Sequence, residues 1–326
     1  MKPTTKLQDT EKSEIIIRPL QETELSTADS IMRLAFGTFI GLPDPMAFMG
    51  DASYVRTRWR ANPNAAFAAE ANGEVIGSNF ATNWGSVGFF GPLTIRPDFW
   101  DHGVGKRLME PVVALFDQWQ TRHAGLFTFP HSTKHVGLYQ RFGFWPRFLT
   151  ALMSRPVQSI KSAGRWSRFG ELRASDRDDV LSACREVTDA IYEGLDLTHE
   201  IQAVAAQNLG DTILLWDDDD RLVAFAVCHL GPGTEAGSGV CYIKFGAVRP
   251  GPNAEQHFNN LVDACEEMAS AQQLARLVGG VNTARHEAYW QMLARGFRTD
   301  IQGVVMSRPN EPGYNHAGVY LIDDWR

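Results

Sequence analysis

The sequence predicts an α/β protein built as two tandem copies of one unit. Three observations carry that reading. The chain has 326 residues, and domains run roughly 100–200 residues each. Two dipeptides recur at one spacing: Arg96-Pro97 and Arg249-Pro250, then Gly143-Phe144 and Gly296-Phe297, both 153 residues apart. Between these anchors, runs with strand periodicity and runs with helical periodicity alternate in the same order twice.

Residues 1–13 are polar and read as a flexible tail. A short strand at 14–18 opens the first copy, and a helical region follows. A hairpin comes next, at 65–70 and 75–84, then a third strand at 87–95. A long helix carries Leu108, Val112, Leu115, Phe116 and Trp119 at helical spacing. Pro111 removes its bond to the Arg107 carbonyl and predicts a kink. A strand at 126–129, a helix ending at Gly143-Phe144 and a last strand complete the first copy, 14–156. The second copy, 169–309, repeats this with strands at 171–173, 212–216, 222–229, 240–248 and 276–279. The segments 73–85 and 220–231 lie 147 residues apart, six fewer than the anchors. The glycine-rich turn 231–239 absorbs the difference, because insertions collect in turns. Residues 157–168 read as a linker. Residues 310–326 form a tail, apolar toward its end, that docks against one domain.

Hydrophobic residues are 44% of the chain and charged residues 21%, which excludes a disordered chain. A net charge of -7 gives no electrostatic case for nucleic acid or an anionic membrane. No apolar run approaches the ~20 residues that span a bilayer. Cys184, Cys228, Cys241 and Cys265 all lie in the second half without a CxxC pair, so buried reduced thiols are expected rather than structural zinc. With no apolar stretch near the N-terminus to act as a signal peptide, a cytoplasmic location is expected.

The chemistry concentrates in residues 93–108, LTIRPDFWDHGVGKRL, which read as strand, turn, glycines and helix. Gly103 and Gly105 fall where the helix begins. A helix N-terminus offers unpaired amides and partial positive charge, and glycine lets an anion approach them. Lys106 and Arg107 add formal charge. Turn glycines with no ligand are the plainer alternative. Further on, residues 131–146 read as a helix bearing Tyr139 with a Gly143-Phe144 exit.

Together these two segments resemble motifs A and B of the GCN5-related N-acetyltransferases. Leu138-Tyr139-Gln140-Arg141-Phe142-Gly143-Phe144 is similar to that family's Leu-Tyr-x-x-x-Gly-Phe. The loop pattern Arg/Gln-x-x-Gly-x-Gly/Ala matches at Gly103 and Gly105, with Trp100 in place of Arg or Gln. Ser132 stands where the family often has an Asn that contacts the cofactor arm. The resemblance implies a mixed, mostly antiparallel sheet in each copy, splayed open beside its fourth strand and flanked by helices. It implies a pantetheine arm against Leu93, Thr94 and Ile95, and a diphosphate on the amides of Gly103, Val104, Gly105, Lys106 and Arg107. The implied reaction is direct attack of a small-molecule primary amine on acetyl-CoA, with Tyr139 protonating the leaving thiolate and no metal. A longer acyl donor and a non-catalytic acyl-CoA sensor are the alternatives.

The base is less legible. The strand 87–95 contains no acid, and Glu70, Asp44 and Asp51 remain by elimination. His102, His131 and His135 read as solvated loop or helix-end residues. Phe39, Met46, Phe48, Met49, Trp59 and Trp84 read either as an apolar acceptor pocket or as core. In the second copy Gln256 and Phe258 replace Gly103 and Gly105, and Met292 replaces Tyr139. That copy is expected to be silent and to support the first.

Overall fold

A computed structural model describes residues 14–326, and the tail read at 1–13 lies outside the described residues. The first copy runs β1 (Ile15–Pro19), α1 (Leu25–Phe39), α2 (Val55–Ala61), β2 (Ala66–Ala71), β3 (Glu74–Trp84), β4 (Val87–Phe90), β5 (Thr94–Ile95), α3 (Val104–Gln118), β6 (His123–Thr128), α4 (Thr133–Gln140) and β7 (Trp145–Pro156). The second runs β8 (Arg165–Arg168), α5 (Arg177–Asp189), α6 (Thr198–Gln207), β9 (Gly210–Trp216), β10 (Leu222–Leu230), β11 (Val240–Val248), α7 (Ala254–Ala271), β12 (Arg276–Asn282), α8 (His286–Ala294) and β13 (Arg298–Arg308), then β14 (Leu321–Ile322).

The repeat survives at the level of strand register. Val87 pairs with His123 in a parallel ladder, and Val240 pairs with Arg276 in another; both residues are displaced by the same 153 positions. The β2–β3 hairpin closes through Asn72 (φ 53°) and Gly73 (φ 80°), the Asn-Gly pair that a two-residue turn with two positive φ angles requires. The strand expected at 87–95 is broken into β4 and β5, whereas its counterpart β11 is continuous. Gly91-Pro92 lies at the break, and a proline has no N–H to carry the ladder on. Lys244 and Phe245 occupy the matching positions of β11.

The copies exchange their last strands. One sheet of 14 strands runs β1-β2-β3-β4-β6-β13-β7-β12-β11-β10-β9-β8 along its main path. β13 lies between β6 and β7, with Met306 opposite Leu126 and Gly303 opposite Thr150. β7 in turn pairs with β12, with Met153 opposite Gly279. Residues 14–156 therefore place their final strand beside the second copy and receive β13 in exchange. The strand expected at 171–173 lies instead at β8, inside the stretch read as a linker. Trp166 packs on the second copy's core and Trp216 donates to Ser167 Oγ at 3.0 Å, so a tryptophan anchors what small residues suggested was loose. α3 continues through Pro111 to Gln118. All four cysteines are buried and unbridged. Among the described residues, no helix is long and apolar enough to cross a membrane.

Candidate active site

The site grows out of the broken strand. β4 and β6 are paired only from Val87 to Phe89. Beyond that β5 follows β3 and the sheet opens. A cavity of about 370 Å³ lies at this split, walled by β5, β6, α4, α1 and the end of the C-terminal tail. Backbone direction follows from register. Arg96 N donates to Ile76 O, and Thr94 lies opposite Ser78. Antiparallel alternation then turns Thr94 toward β3 and leaves the backbone of Leu93 and Ile95 facing the split. The Ile95 carbonyl is taken by Trp100 Nε1 at 2.8 Å. Trp100 thus pins the turn before α3, where the family pattern has Arg or Gln.

Gly103 adopts φ 77° as the residue that starts α3, and no side chain caps that helix. The αL conformation there favours glycine. A Cβ on Gly103 would meet nothing within 4 Å, whereas one on Gly105 would lie 3.2 Å from Ile95 Cδ1 and 3.3 Å from Leu138 Cδ2. Gly103 therefore leaves open ground before the helix, and Gly105 lets α3 close on β5 and α4. The Arg107 amide is already bonded to the Gly103 carbonyl. What Arg107 offers an anion is its exposed guanidinium, beside exposed Lys106. Neither side chain is ion-paired among the described residues.

α4 presents Tyr139 and His135, one turn apart, to the cavity. Burial pushes the Tyr139 hydroxyl well above the usual phenol range, so it stays protonated. Burial, then Lys134 beside it, holds His135 below the ordinary imidazole range. Its Nδ1 lies 2.9 Å from Ser132 Oγ. Ser132 is buried and caps α4. His135, read as a solvated helix-end residue, instead lines the cavity. His102 is exposed and bonded to the Trp100 carbonyl.

The acids left by elimination are engaged elsewhere. Glu70 pairs with Arg18 at 2.6 Å. Asp44 caps a short turn through the Met46 amide. Asp51 accepts from the backbone and side chain of Ser238. Of the six pocket candidates, Phe48 and Met49 line the cavity. Phe39 packs on Phe129 and His135, Met46 is exposed, Trp59 donates to the Leu20 carbonyl, and Trp84 is buried against Glu200 of the second copy.

Several residues at the site escaped the sequence reading. Buried Arg58 grips Glu235 with two bonds, at 3.0 and 3.1 Å, and donates to the Gly91 carbonyl at 2.6 Å. It also donates to the main-chain oxygen of Arg326. Glu235 belongs to the turn 231–239, whose six extra residues thus reach the first copy. Burial alone would raise its carboxyl pKa, but Arg58 and Lys244 hold it well below the usual range. Trp325 and Arg326 line the cavity, and Trp325 packs so closely on Gly125 that β6 has no room for a side chain there. The insertion and the apolar tail were both visible in the sequence. Their destinations were not, since Arg58 and Glu235 are 177 positions apart.

The matching cleft of the second copy is filled by the chain itself. β14 adds to β11 with Ile322 opposite Gly246 and Leu321 opposite Ala247, and Val248 N donates to Tyr320 O at 3.1 Å. Gly246, Ala247 and Val248 are the counterparts of Leu93, Thr94 and Ile95. The tail is locked there by the buried Arg285–Asp323 pair at 2.6 Å. Phe258 and Met292 are buried in the core, and α7 starts at Ala254, which places Gln256 inside its first turn.

The sequence profile of the Acetyltransferase (GNAT) family matches residues 30–144. No curated protein matches the chain. Solved structures match over nearly its whole length. A putative acetyltransferase from Pyrococcus horikoshii is 13% identical with a TM-score of 0.65, covering 95% of each chain. A GCN5-related N-acetyltransferase from Sphaerobacter thermophilus is 13% identical with a TM-score of 0.58, over 90% of this chain and 95% of that one. A tandem GNAT protein from the clavulanic acid biosynthesis pathway is 11% identical with a TM-score of 0.54, over 90% and 98%. At these identities the likeness is one of fold. Residues 30–144 thus match the Acetyltransferase (GNAT) family, and the chain as a whole shares the fold of solved GCN5-related N-acetyltransferases, one of them a tandem protein, while the cleft of its second copy is closed by its own tail.

Proposed function

We propose that the first copy transfers the acetyl group of acetyl-CoA to the primary amine of a small molecule. The GNAT fold supports acyl-CoA-dependent N-acyl transfer in general. One observation carries the assignment to the first copy. Its split is open and the first turn of α3, uncapped, packs beside the lining residues Ile95 and Leu138, whereas the same backbone positions of the second copy are paired with β14. The pantetheine amides would bond the free edge of Leu93 and the Ile95 amide, as the Tyr320–Ile322 backbone bonds their counterparts. The diphosphate would meet the first-turn amides from Gly103 to Lys106 and the side chains of Lys106 and Arg107.

The amine nitrogen attacks the thioester carbonyl, the C–N bond forms and the C–S bond breaks. Tyr139, held protonated by burial, donates to the leaving sulfur. His135 is unprotonated at neutral pH and takes the proton that the attacking nitrogen must lose, while Ser132 orients its ring. The test is acetyl transfer to a panel of amines, with Tyr139→Phe and Gly103→Glu beside the wild type. Transfer that falls about 100-fold or more in Tyr139→Phe, with acetyl-CoA affinity kept, supports the reading. Tight acetyl-CoA binding without transfer to any amine would favour the sensor alternative.

A further inference from the structure

The cavity also bears on which amine is acetylated, an inference that rests on the reading above. The anion cradle and Tyr139 lie on the face of the sheet covered by α3 and α4, whose core includes Tyr139, Phe90 and Phe116. The opposite face carries α1 and α2, with Met32, Tyr54 and Val55 in a separate core. A thioester brought past Tyr139 from the cradle therefore meets a wall made by Met32, Phe36, Ile40, Phe48, Met49 and Tyr54. No Asp or Glu is among the cavity's described lining residues, whose ionisable side chains are Tyr54, His135, Tyr139 and Arg326. The nearby carboxylates are engaged, Glu235 by Arg58 and Lys244, Asp51 by Ser238, and buried Asp324 by the Tyr242 hydroxyl and the Arg326 amide and guanidinium, with its carboxylate against Gly280 of β12.

The rim has the same character. Ile40 and Ile301 line the cavity while 43% and 39% exposed, and Met46, in the loop after α1, is 44% exposed. Three of the chain's exposed large apolar side chains thus belong to these mouth-forming segments, and clustered exposed apolar surface marks a binding site. An opening to solvent on this side, away from the cradle, admits a second substrate; a pocket for a long acyl tail would be closed. A second ammonium taken into this space would lose its hydration without a counter-ion and would face Arg326. An apolar or aromatic body would gain from the Phe36–Phe48 stack, whose rings lie 5.2 Å apart. Tyr54 Oη, the one hydroxyl among the six wall residues, is buried without a partner.

We propose that the acceptor is a monoamine with an apolar, preferably aromatic, body, and that polycationic amines are rejected. The test compares 2-phenylethylamine with spermidine and putrescine at saturating acetyl-CoA. The expected kcat/KM for 2-phenylethylamine is at least about 100-fold higher, the scale of one uncompensated buried charge. Met49 has φ 60°, which Asp tolerates. Met49→Asp should lower kcat/KM for 2-phenylethylamine and raise it for putrescine, with the acetyl-CoA Kd unchanged. Equal or better use of spermidine by the wild type would overturn the proposal, as would equal loss for all amines in Met49→Asp. Faster transfer from decanoyl-CoA than from acetyl-CoA with every acceptor would assign the wall to the acyl chain and overturn it too. No transfer to any amine, with acetyl-CoA bound, would remove the transfer reading itself and this proposal with it.

Discussion

Replacing Arg285 with Met should release the C-terminal tail from the second copy. The Arg285 side chain is 1% exposed and gives three hydrogen bonds to the tail. They run to the Asp323 carboxylate at 2.6 Å, the Leu321 carbonyl at 3.0 Å and the Asp323 carbonyl at 3.2 Å. Met fills much of the same space with no donor, so a buried carboxylate and two carbonyls lose their partner. Removing one member of a buried pair costs about 3–5 kcal/mol. The Tyr314 hydroxyl still donates to Asp323, which favours the lower figure. At about 1.4 kcal/mol per decade, a loss of ~3 kcal/mol is more than 100-fold in a local opening equilibrium. β14 is only two residues long and should open before the sheet does. Hydrogen exchange of the Val248 amide, which donates to the Tyr320 carbonyl, should accelerate by about that factor. Residues 314–326 should become cleavable by protease while β9 stays protected. A variant with an unchanged Val248 exchange rate and an intact tail would refute the role given to Arg285.

Three further outcomes follow from the same structure. His135→Gln should lower kcat about 100-fold while the acetyl-CoA Kd changes little, and added imidazole should restore part of the rate to His135→Ala; an undiminished kcat would remove His135 from proton transfer. Stability should fall as pH drops from about 6.5 toward 4. Burial pushes both His123 and His229 down to about 4, so the folded chain refuses protons that unfolded histidines accept near ~6.5. Each contribution is full above the unfolded value and lost below the folded one, on the order of 3 kcal/mol apiece, and a flat urea midpoint between pH 7 and 4.5 would contradict it. Residues 1–156 alone should fail to fold, since β6 and β7 are joined only through β13; coexpression with residues 157–326 should restore a soluble pair, and a stable isolated fragment by circular dichroism would argue against strand exchange.

The sequence exposed what is local or periodic. The repeat offset was read from two dipeptides, and the ladders keep it residue for residue at Val87–His123 and Val240–Arg276. Gly103 at the start of α3 was legible because a positive φ at a helix start needs glycine. The break at Pro92 was equally local, since a proline cannot donate to a ladder, yet apolar neighbours on both sides masked it. Strand exchange was not legible for a physical reason. β7 and β13 each satisfy their own alternation whichever sheet half receives them, and partner choice depends on contacts some 150 residues apart. The same distance hid Arg58. An arginine on a short helix reads as solvated until a glutamate in a distant turn and the tail's backbone converge on it. Trp100 appeared as a departure from a pattern; its indole bond to the Ile95 carbonyl shows what it does in this chain.

Titrating acetyl-CoA into the intact protein by calorimetry tests the central claim most directly, with Gly103→Glu as comparison. Gly103 has open space before it, so a carboxylate there would stand against the diphosphate. At ~4 Å two unit charges repel by about 4 kcal/mol at a near-surface effective dielectric of about 20. One site per chain, weakened at least about 100-fold in Gly103→Glu, is the expected result. Two sites, or one site indifferent to Gly103→Glu, would contradict a first copy that binds the cofactor and a second copy closed by its own tail.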